Sequence, residues 1–148
     1  MLEEAFVRTR SLPRRREMIV LNQPEDVVQR MVNVVQPDSY LRPHRHTTPQ
    51  KFEVFTPIRG TIAVFVFDND GEISRCSVLR PRGPEIVADV LPPAWHTYIA
   101  IEPDTAVFEA KQGPYDPSAD KEFAPWAPEE NSPESAEYLE LLRSYAVQ

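Results

Sequence analysis

Short apolar segments, each followed by turn residues, recur through most of the chain. Within them apolar and polar positions tend to alternate, and β-branched or aromatic residues are frequent, a pattern typical of half-buried strands. The segment TIAVFVFD, the turn NDG at 69–71 and the segment EISRCSVL predict a hairpin, because Asp-Gly tolerates positive φ. About eight or nine such strands predict an all-β barrel or sandwich.

Three early segments fit this pattern less directly. EMIVLN at 17–22 predicts a short strand. VVQRMVNVV at 27–35 is valine-rich, which favours a strand, but its apolar spacing also fits a helix. YLRPHRH at 40–46 contains a proline, which cannot donate to a strand ladder, so this segment predicts an edge or irregular strand.

The chain changes character after the last predicted strand. From 112 to 133 it is rich in proline and polar residues but keeps three aromatic residues, which predicts an ordered extended segment that wraps the barrel. Ser132 and Pro133 are typical of a helix start. The apolar face of the helix that follows is expected to pack on the barrel or on a partner subunit.

These observations predict one domain over residues 1–148, an all-β barrel followed by a short C-terminal α-helix. The barrel is expected over about 17–111, the wrapping segment over 112–133 and the helix over 134–146. The length allows a sizeable single core. The 16 prolines disfavour a helical bundle, since proline breaks helix interiors.

Composition and charge exclude several classes of protein. A net charge of −7 makes the chain a poor general partner of nucleic acid, which rewards dense lysine and arginine. Its single cysteine allows no intrachain disulfide. Apolar runs are far shorter than a membrane span, and the N-terminus lacks an apolar signal core. We therefore expect a soluble cytoplasmic protein that binds neither nucleic acid nor membrane.

The cations are unevenly divided, with 13 arginines and 3 lysines. Five of the arginines lie near the N-terminus, namely Arg8, Arg10, Arg14, Arg15 and Arg16. They could form an arm that binds anions or phosphate, or a solvated or interface segment, and the second interpretation is favoured.

All three histidines fall at two sites beside proline turns. His44 and His46 are two residues apart, so in a strand both imidazoles face the same side. Glu53 begins the next predicted strand, and His96 follows the proline turn LPPAW. Imidazole and carboxylate together suit a first-row divalent ion such as Mn, Fe, Co, Ni or Zn. The alternative is a set of polar side chains that hold no ligand.

Two stretches resemble the motifs of the cupin superfamily. Residues 38–60 have a turn residue, five residues, His-x-His, a short gap, a glutamate, six residues and a glycine, and PPAWH at 92–96 is similar to the second motif. The segments QRMVNVVQPDSYLRPHRH and GPYDPSADKEFAPWAPEE further resemble the WbuC-type cupin-fold metalloproteins. The resemblance extends over nearly the whole chain.

This resemblance implies a cupin jelly-roll barrel with one divalent transition metal in its mouth: iron, manganese, zinc or nickel. His44, His46, Glu53 and His96 match the ligand positions of the family, and 27–35 becomes a strand. Family members often lie among genes for O-antigen and other surface polysaccharides, which implies a setting in lipopolysaccharide biosynthesis. A homodimer is expected, because cupins commonly pair through sheet edges and EMIVLN would be an exposed strand.

The match departs from the family pattern at several positions. The gap between His46 and Glu53 is longer than the common one, which places Gln50 near the usual position of the acid. Gln50 is therefore a possible alternative ligand, although Glu53 keeps the spacing to Gly60 and a carboxylate binds a divalent cation better. Ala100 stands where an asparagine is common. None of these changes removes a ligand.

Further side chains are candidates for the pocket or for catalysis, namely Tyr40, Arg42, Arg30, Tyr98, Glu109 and Lys111. Tyr40 and Arg42 precede the histidines at strand spacing and would face the same side. Arg30 and Arg42 could grip a carboxylate or phosphate with two hydrogen bonds. We therefore expect a small-molecule ligand that is polar or anionic.

Three functions are compatible with such a site. The first is an enzyme that acts on a sugar or sugar nucleotide by isomerisation, epimerisation or a related proton transfer. The second is an iron-dependent dioxygenase with an apolar pocket, and the third is a non-catalytic metal- or ligand-binding module. A fold by itself does not choose among these functions, so whether the protein is an enzyme stays open.

Overall fold

Two antiparallel five-stranded sheets make up most of the computed structural model, which describes residues 1–119 and 121–147. The strands are β1 (Arg16–Val20), β2 (Val28–Val35), β3 (His44–Arg45), β4 (Glu53–Arg59), β5 (Ile62–Phe67), β6 (Ile73–Leu79), β7 (Ala88–Val90), β8 (Trp95–Ala100), β9 (Thr105–Gln112) and β10 (Glu122–Phe123). The helices are α1 (Leu2–Thr9) and α2 (Pro133–Ala146). Neither described helix is long and apolar enough to cross a membrane. The predicted all-β class with a short C-terminal helix is confirmed.

The two sheets enclose a common core. The first sheet has the strand order β1-β2-β9-β4-β7 and the second the order β10-β3-β8-β5-β6. Inward side chains of both meet there, such as Phe55 and Val107 from the first sheet and Val64 and Tyr98 from the second. The space between the sheets also contains the site described below.

Helix α2 covers the outer face of the second sheet. Leu139 and Leu142 pack there with Phe65 and Ile99, and all four side chains are buried. Strands β5 and β8 are therefore buried on both faces, which explains the continuous apolar sequence of β5. Of the two packing partners predicted for the helix, the barrel is the one found.

Helix α1, which the sequence pattern does not predict, covers part of the outer face of the first sheet. Phe6 packs there against Val32 and Val34. Because these two valines face α1 while Val35 faces the core, the second half of β2 is buried on both sides. This double burial explains why 27–35 lacks clean alternation and also fits a helical spacing.

The N-terminal arginines all pair with carboxylates of the chain. Arg8 contacts Glu17, Arg10 contacts Asp104, Arg14 and Arg16 contact Glu130, and Arg15 contacts Asp38. The segment that carries these arginines is therefore folded against the rest of the protein. This arrangement disfavours an arm that binds external anions.

The segment 40–46 is irregular, as its proline predicts. Within it only His44–Arg45, the strand β3, forms ladder pairs. Strand β8 pairs with one side of β3 and strand β10 with the other, so β3 is not an edge of the sheet.

Two glycines allow tight turns between strands. Gly60 joins β4 to β5 with φ +77°, and a side chain at this position would meet Thr105. Gly71 joins β5 to β6 with φ +91°. The hairpin predicted from NDG is confirmed by the pairing of these two strands.

Candidate metal centre

Three histidines and one glutamate meet between the sheets. His44 in β3 and His96 in β8 are paired in register within the second sheet. Glu53 begins β4 of the first sheet, and His46 follows β3. Each residue offers one potential ligand atom, these atoms all lie within 4.8 Å of one another, and all four residues are buried. The cluster is therefore assembled by strands from both sheets.

Backbone carbonyls orient two of the imidazoles. Nδ1 of His44 lies 3.1 Å from the carbonyl oxygen of Arg42, and Nδ1 of His96 lies 3.0 Å from that of Ala94. A carbonyl oxygen can only accept a hydrogen bond, so Nδ1 is the nitrogen that donates in both rings. In both rings Nε2 faces Glu53, and it carries the lone pair when the ring is neutral. A metal-ligating histidine is commonly oriented in this way.

Glu53 lies among the imidazoles. Its Oε1 is 3.2 Å from Nε2 of His46, and its Oε2 is 4.0 Å from Nε2 of His44 and in direct contact with Nε2 of His96. Burial by itself opposes ionisation, but the imidazoles outweigh it and hold the pKa of Glu53 well below its usual range.

The histidines respond to burial and to this carboxylate. Burial, together with the neighbouring His96, lowers the pKa of His44 well below its usual value and keeps that ring neutral. Burial would also lower the pKa of His96, but the adjacent Glu53 carboxylate reverses the effect and raises it. His44 is thus already in the neutral form that a metal ligand needs.

The donor set fits one divalent transition metal. Three imidazole nitrogens and one carboxylate oxygen are ligands that Mn, Fe, Co, Ni and Zn accept. The carboxylate also supplies negative charge in a buried place, where an uncompensated cation would be costly. His44, His46, Glu53 and His96 are the residues that would hold the ion.

A cavity of about 450 Å³ lies beside the cluster. His44, Glu53 and His96 line it, together with apolar side chains such as Met31 and Phe55. Its volume is in the range of small-molecule sites. An ion held by the cluster would therefore border a space that can take a small ligand.

Residues 1–79, a little over half of the chain, match the family model of a domain of unknown function, DUF6016. The chain belongs to the DUF6016 family. The matched region contains His44, His46 and Glu53, whereas His96 lies beyond it. No curated protein matches the sequence.

Solved structures share the fold of this DUF6016 protein at low sequence identity. KdgF from Halomonas sp. aligns with a TM-score of 0.52 and 16% identity over 73% of this chain and 86% of its own. Oxalate oxidase in complex with the substrate analogue glycolate aligns with a TM-score of 0.59 and 16% identity over 92% and 74%. The capsular polysaccharide assembling protein CapF from Staphylococcus aureus aligns with a TM-score of 0.58 and 23% identity over 72% of this chain but 31% of CapF.

These neighbours are cupin-fold proteins, so the cupin jelly roll implied by the sequence resemblance is confirmed for the DUF6016 chain. The finer resemblance to the WbuC-type subfamily stays a prediction.

Most of the pocket candidates line the cavity, namely Arg42, Tyr98, Glu109 and Lys111. Tyr98 follows His96 by two residues in β8, and Glu109 and Lys111 alternate in β9, so strand geometry points them to the same side. Nζ of Lys111 lies 3.9 Å from Oε1 of Glu53.

Arg30 and Tyr40 do not line the cavity. Arg30 lies on the face of β2 opposite to Met31, where it pairs with Asp26 at 3.2 Å. Tyr40 precedes β3 in a segment that is not a strand, and its hydroxyl donates to the carbonyl of Pro128 at 2.8 Å. The strand spacing assumed for Tyr40 therefore does not apply. Contrary to the prediction, neither Arg30 nor Tyr40 lines the pocket.

Gln50 lies in the turn between β3 and β4, where it forms an isolated bridge with Thr47. Its side chain is exposed and does not line the cavity, whereas Glu53 is buried within the cluster. The geometry therefore favours Glu53 over Gln50 as the fourth ligand.

Glu109 is a second buried carboxyl group in this DUF6016 site. Burial, reinforced by the charge of Glu53, raises the pKa of Glu109 to about 8. Nδ2 of Asn33 donates a hydrogen bond of 2.6 Å to its Oε2. The sequence pattern does not single out Asn33, although its spacing of two from Met31 in β2 places both on one face. Nor does it single out Lys121, which lines the cavity from the wrapping segment.

Proposed function

We propose that the protein is a metal-dependent enzyme that acts on a sugar or sugar nucleotide by proton transfer of the isomerase or epimerase type. One divalent transition metal would be held by His44, His46, Glu53 and His96. The observation that carries the proposal is that three of these four buried residues line a cavity of about 450 Å³. A purely structural ion needs no such access, so the arrangement favours an enzyme over a closed binding module.

Three residues of the cavity support proton transfer. When bound, the ion would polarise a carbonyl or hydroxyl oxygen of the substrate. Glu109 lines the same cavity, and the hydrogen bond from Asn33 positions its carboxyl group to exchange a proton with a neighbouring carbon of the substrate. Burial raises the pKa of Tyr98 well above its usual value, so this phenol keeps its proton and can donate a hydrogen bond.

We further propose that the substrate belongs to surface-polysaccharide synthesis and that the protein acts in the cytoplasm. This proposal comes from the WbuC-type resemblance. It is supported by CapF, whose name describes capsular polysaccharide assembly and whose fold is similar. The polar side chains of the cavity, among them Asn33, Arg42 and Lys111, suit a ligand rich in hydroxyl or anionic groups.

Exchange of a carbon-bound hydrogen with solvent tests the proposed reaction. The metal-loaded protein is incubated in deuterium oxide with UDP-glucose, UDP-N-acetylglucosamine, GDP-mannose and the matching hexose phosphates, and deuterium at carbon is followed by NMR. We expect exchange with at least one of these probes. Glu109→Gln should slow it by roughly 100-fold or more, because a positioned acid–base group contributes about that much or more.

Glu140→Gln is the matched control, because this glutamate side chain is 71% exposed and does not line the cavity. It should keep the wild-type rate. Exchange by Glu109→Gln at the wild-type rate would exclude Glu109 as the proton-transfer group. Absence of exchange with every probe would contradict proton transfer on this substrate class.

We also propose a homodimer that forms through the edge of the first sheet. Strand β1 is an edge strand, and its Met18 and Val20 are 57% and 51% exposed. An exposed apolar edge strand presents unpaired backbone groups that can pair with another chain. Met18 and Val20 also line the cavity, so a partner at this edge would lie near the site.

Light scattering tests the oligomeric state. We expect the wild-type protein to have twice the chain mass of 17.0 kDa. Val20→Lys should give a monomer, because it places a charge on the apolar edge. Ile86→Lys is the control, since Ile86 is also 51% exposed but lies outside β1. A monomeric wild-type protein at micromolar concentration would exclude the dimer.

A further inference from the structure

We propose that Arg42 and Lys121 form a subsite for an oxyanion, a carboxylate or a phosphate, on the cavity wall beside His44. The inference deepens the proposed function and rests on it for the use of this cavity as a substrate site. It assigns to the substrate a negatively charged group besides the oxygen that meets the metal cluster.

Other cations of the cavity are already compensated within the protein. Nη2 of Arg14 and Nη2 of Arg16 lie 3.0 Å and 2.5 Å from Oε1 of Glu130. Nζ of Lys111 lies 3.9 Å from Oε1 of Glu53. An incoming anion would compete with a carboxylate at each of these positions, so they are poor anchors for it.

Arg42 has no such close carboxylate. Its ion pair among the described residues, to Glu129, spans 3.8 Å, and that glutamate side chain is 81% exposed. Its Nη2 donates to the carbonyl oxygen of Ala124 at 3.0 Å, and its Nε is buried without a hydrogen-bond partner. A buried donor without an acceptor is unfavourable, so an oxyanion that accepts from this guanidinium would relieve it. Arginine is also the side chain best suited to bind a carboxylate or phosphate with two parallel hydrogen bonds.

Lys121 supplies a second positive charge among the side chains that line the cavity. Its side chain is exposed, and within residues 1–119 and 121–147 its ammonium group forms no ion pair.

Phe123 links the two cations to the metal cluster. The guanidinium of Arg42 lies 5.5 Å from the centre of the Phe123 ring, and Lys121 precedes Phe123 by two residues. In the β3–β10 pair Phe123 stands opposite His44, and their ring centres are 6.4 Å apart. An oxyanion held by Arg42 and Lys121 would therefore lie next to the ligand His44, within reach of a molecule that also meets the ion.

Anion titrations of the metal-loaded protein test the subsite. Glycolate, inorganic phosphate and the neutral analogue glycolamide are titrated by calorimetry into the wild type, Arg42→Gln, Lys121→Gln and the control Arg82→Gln. Arg82 is exposed and does not line the cavity, so the control removes the same charge elsewhere. Metal content is measured on each protein in parallel.

We expect Arg42→Gln to weaken anion binding by about 10-fold or more, as loss of a hydrogen bond to a charged group does. Lys121→Gln should weaken it by roughly threefold, because this cation is exposed to solvent. Glycolamide should bind alike to all four proteins. If the variants lose more affinity for phosphate than for glycolate, the subsite serves a phosphate-bearing substrate. If they lose more affinity for glycolate, it serves a carboxylate-bearing one.

Equal anion affinity in the wild type and in both cavity variants would overturn the subsite. Lys121→Gln keeps the test valid if Arg42→Gln misfolds, since Lys121 is exposed. If the wild type takes up no metal, the proposed function fails. Phosphate titration of the metal-free protein then still decides the subsite, because neither cation belongs to the metal cluster.

Discussion

Glu53→Gln should remove the bound metal while the barrel stays folded. The substitution keeps the shape of the side chain but deletes the negative charge that lies among three imidazoles. We expect metal affinity to fall by more than about 100-fold, beyond the roughly 10–100-fold caused by losing an outer-shell partner of a ligand. Mass spectrometry of protein purified without a histidine tag, followed by titration against a competing chelator, would measure the loss.

Gln50→Ala is the control for this experiment and should keep the metal, because Gln50 is exposed in the turn before β4. Metal lost from Gln50→Ala and retained by Glu53→Gln would reverse the assignment of the fourth ligand. A wild-type protein that takes up no divalent ion after reconstitution would refute the metal centre itself.

The identity of the bound ion also separates the candidate reactions. Manganese or zinc would support polarisation of a sugar oxygen followed by proton transfer. Iron would favour the dioxygenase alternative, which would then be tested by oxygen consumption rather than by hydrogen exchange.

Phe65→Ala should cause one of the largest losses of folding stability in this protein. Phe65 is fully buried on the outer face of β5, where it packs in the cluster that α2 closes. Truncation of a buried phenylalanine costs about 3–5 kcal/mol, since the cavity left behind refills only in part. For a chain of this length that corresponds to a fall in Tm of roughly 10 °C.

Phe123→Ala is the matched control, because the same side chain is 48% exposed at the cavity wall. We expect a loss of free energy of unfolding below about 1 kcal/mol. Thermal and urea unfolding of the two variants would measure the difference. Equal losses would show that the packing of α2 on the outer face of β5 does not stabilise the fold.

The Phe65→Ala substitution should also weaken metal binding, because β5 pairs with the strand that carries His96. In the pairing of β5 with β8, Val66 stands opposite His96. Loosening of β5 therefore acts on the strand that carries the fourth cluster residue, and metal affinity of Phe65→Ala should fall together with its stability.

The sequence correctly predicted those features of the cluster that depend on the local geometry of the chain. His44 and His46 are two positions apart and share one side of their segment. The proline turn before His96 places it at the start of β8, opposite His44. Spacing of this kind is a local property of an extended chain, so the sequence alone suffices to read it.

Prediction was wrong where strand spacing was applied outside a strand. Tyr40 precedes His44 by four residues, but the segment between them is not a strand, and the tyrosine contacts Pro128 and Tyr138 of α2. Arg30 is in a strand, but only the packing of β2 in the sheet decides which of its two faces points inward.

By itself, then, the sequence determined the all-β class, the positions of the main turns and the four residues of the candidate metal centre. The class and the turns depend on period and turn chemistry, which act over a few neighbouring residues. The four residues were assigned from the spacing within each stretch and from its resemblance to the cupin motifs. Only the tertiary structure decided that α1 covers the first sheet, that Asn33 donates a hydrogen bond to Glu109, and that Lys121 and Arg42 line the same cavity. These contacts join residues far apart in the chain, and their free energy depends on how the two sheets and the wrapping segment pack, which no local pattern encodes.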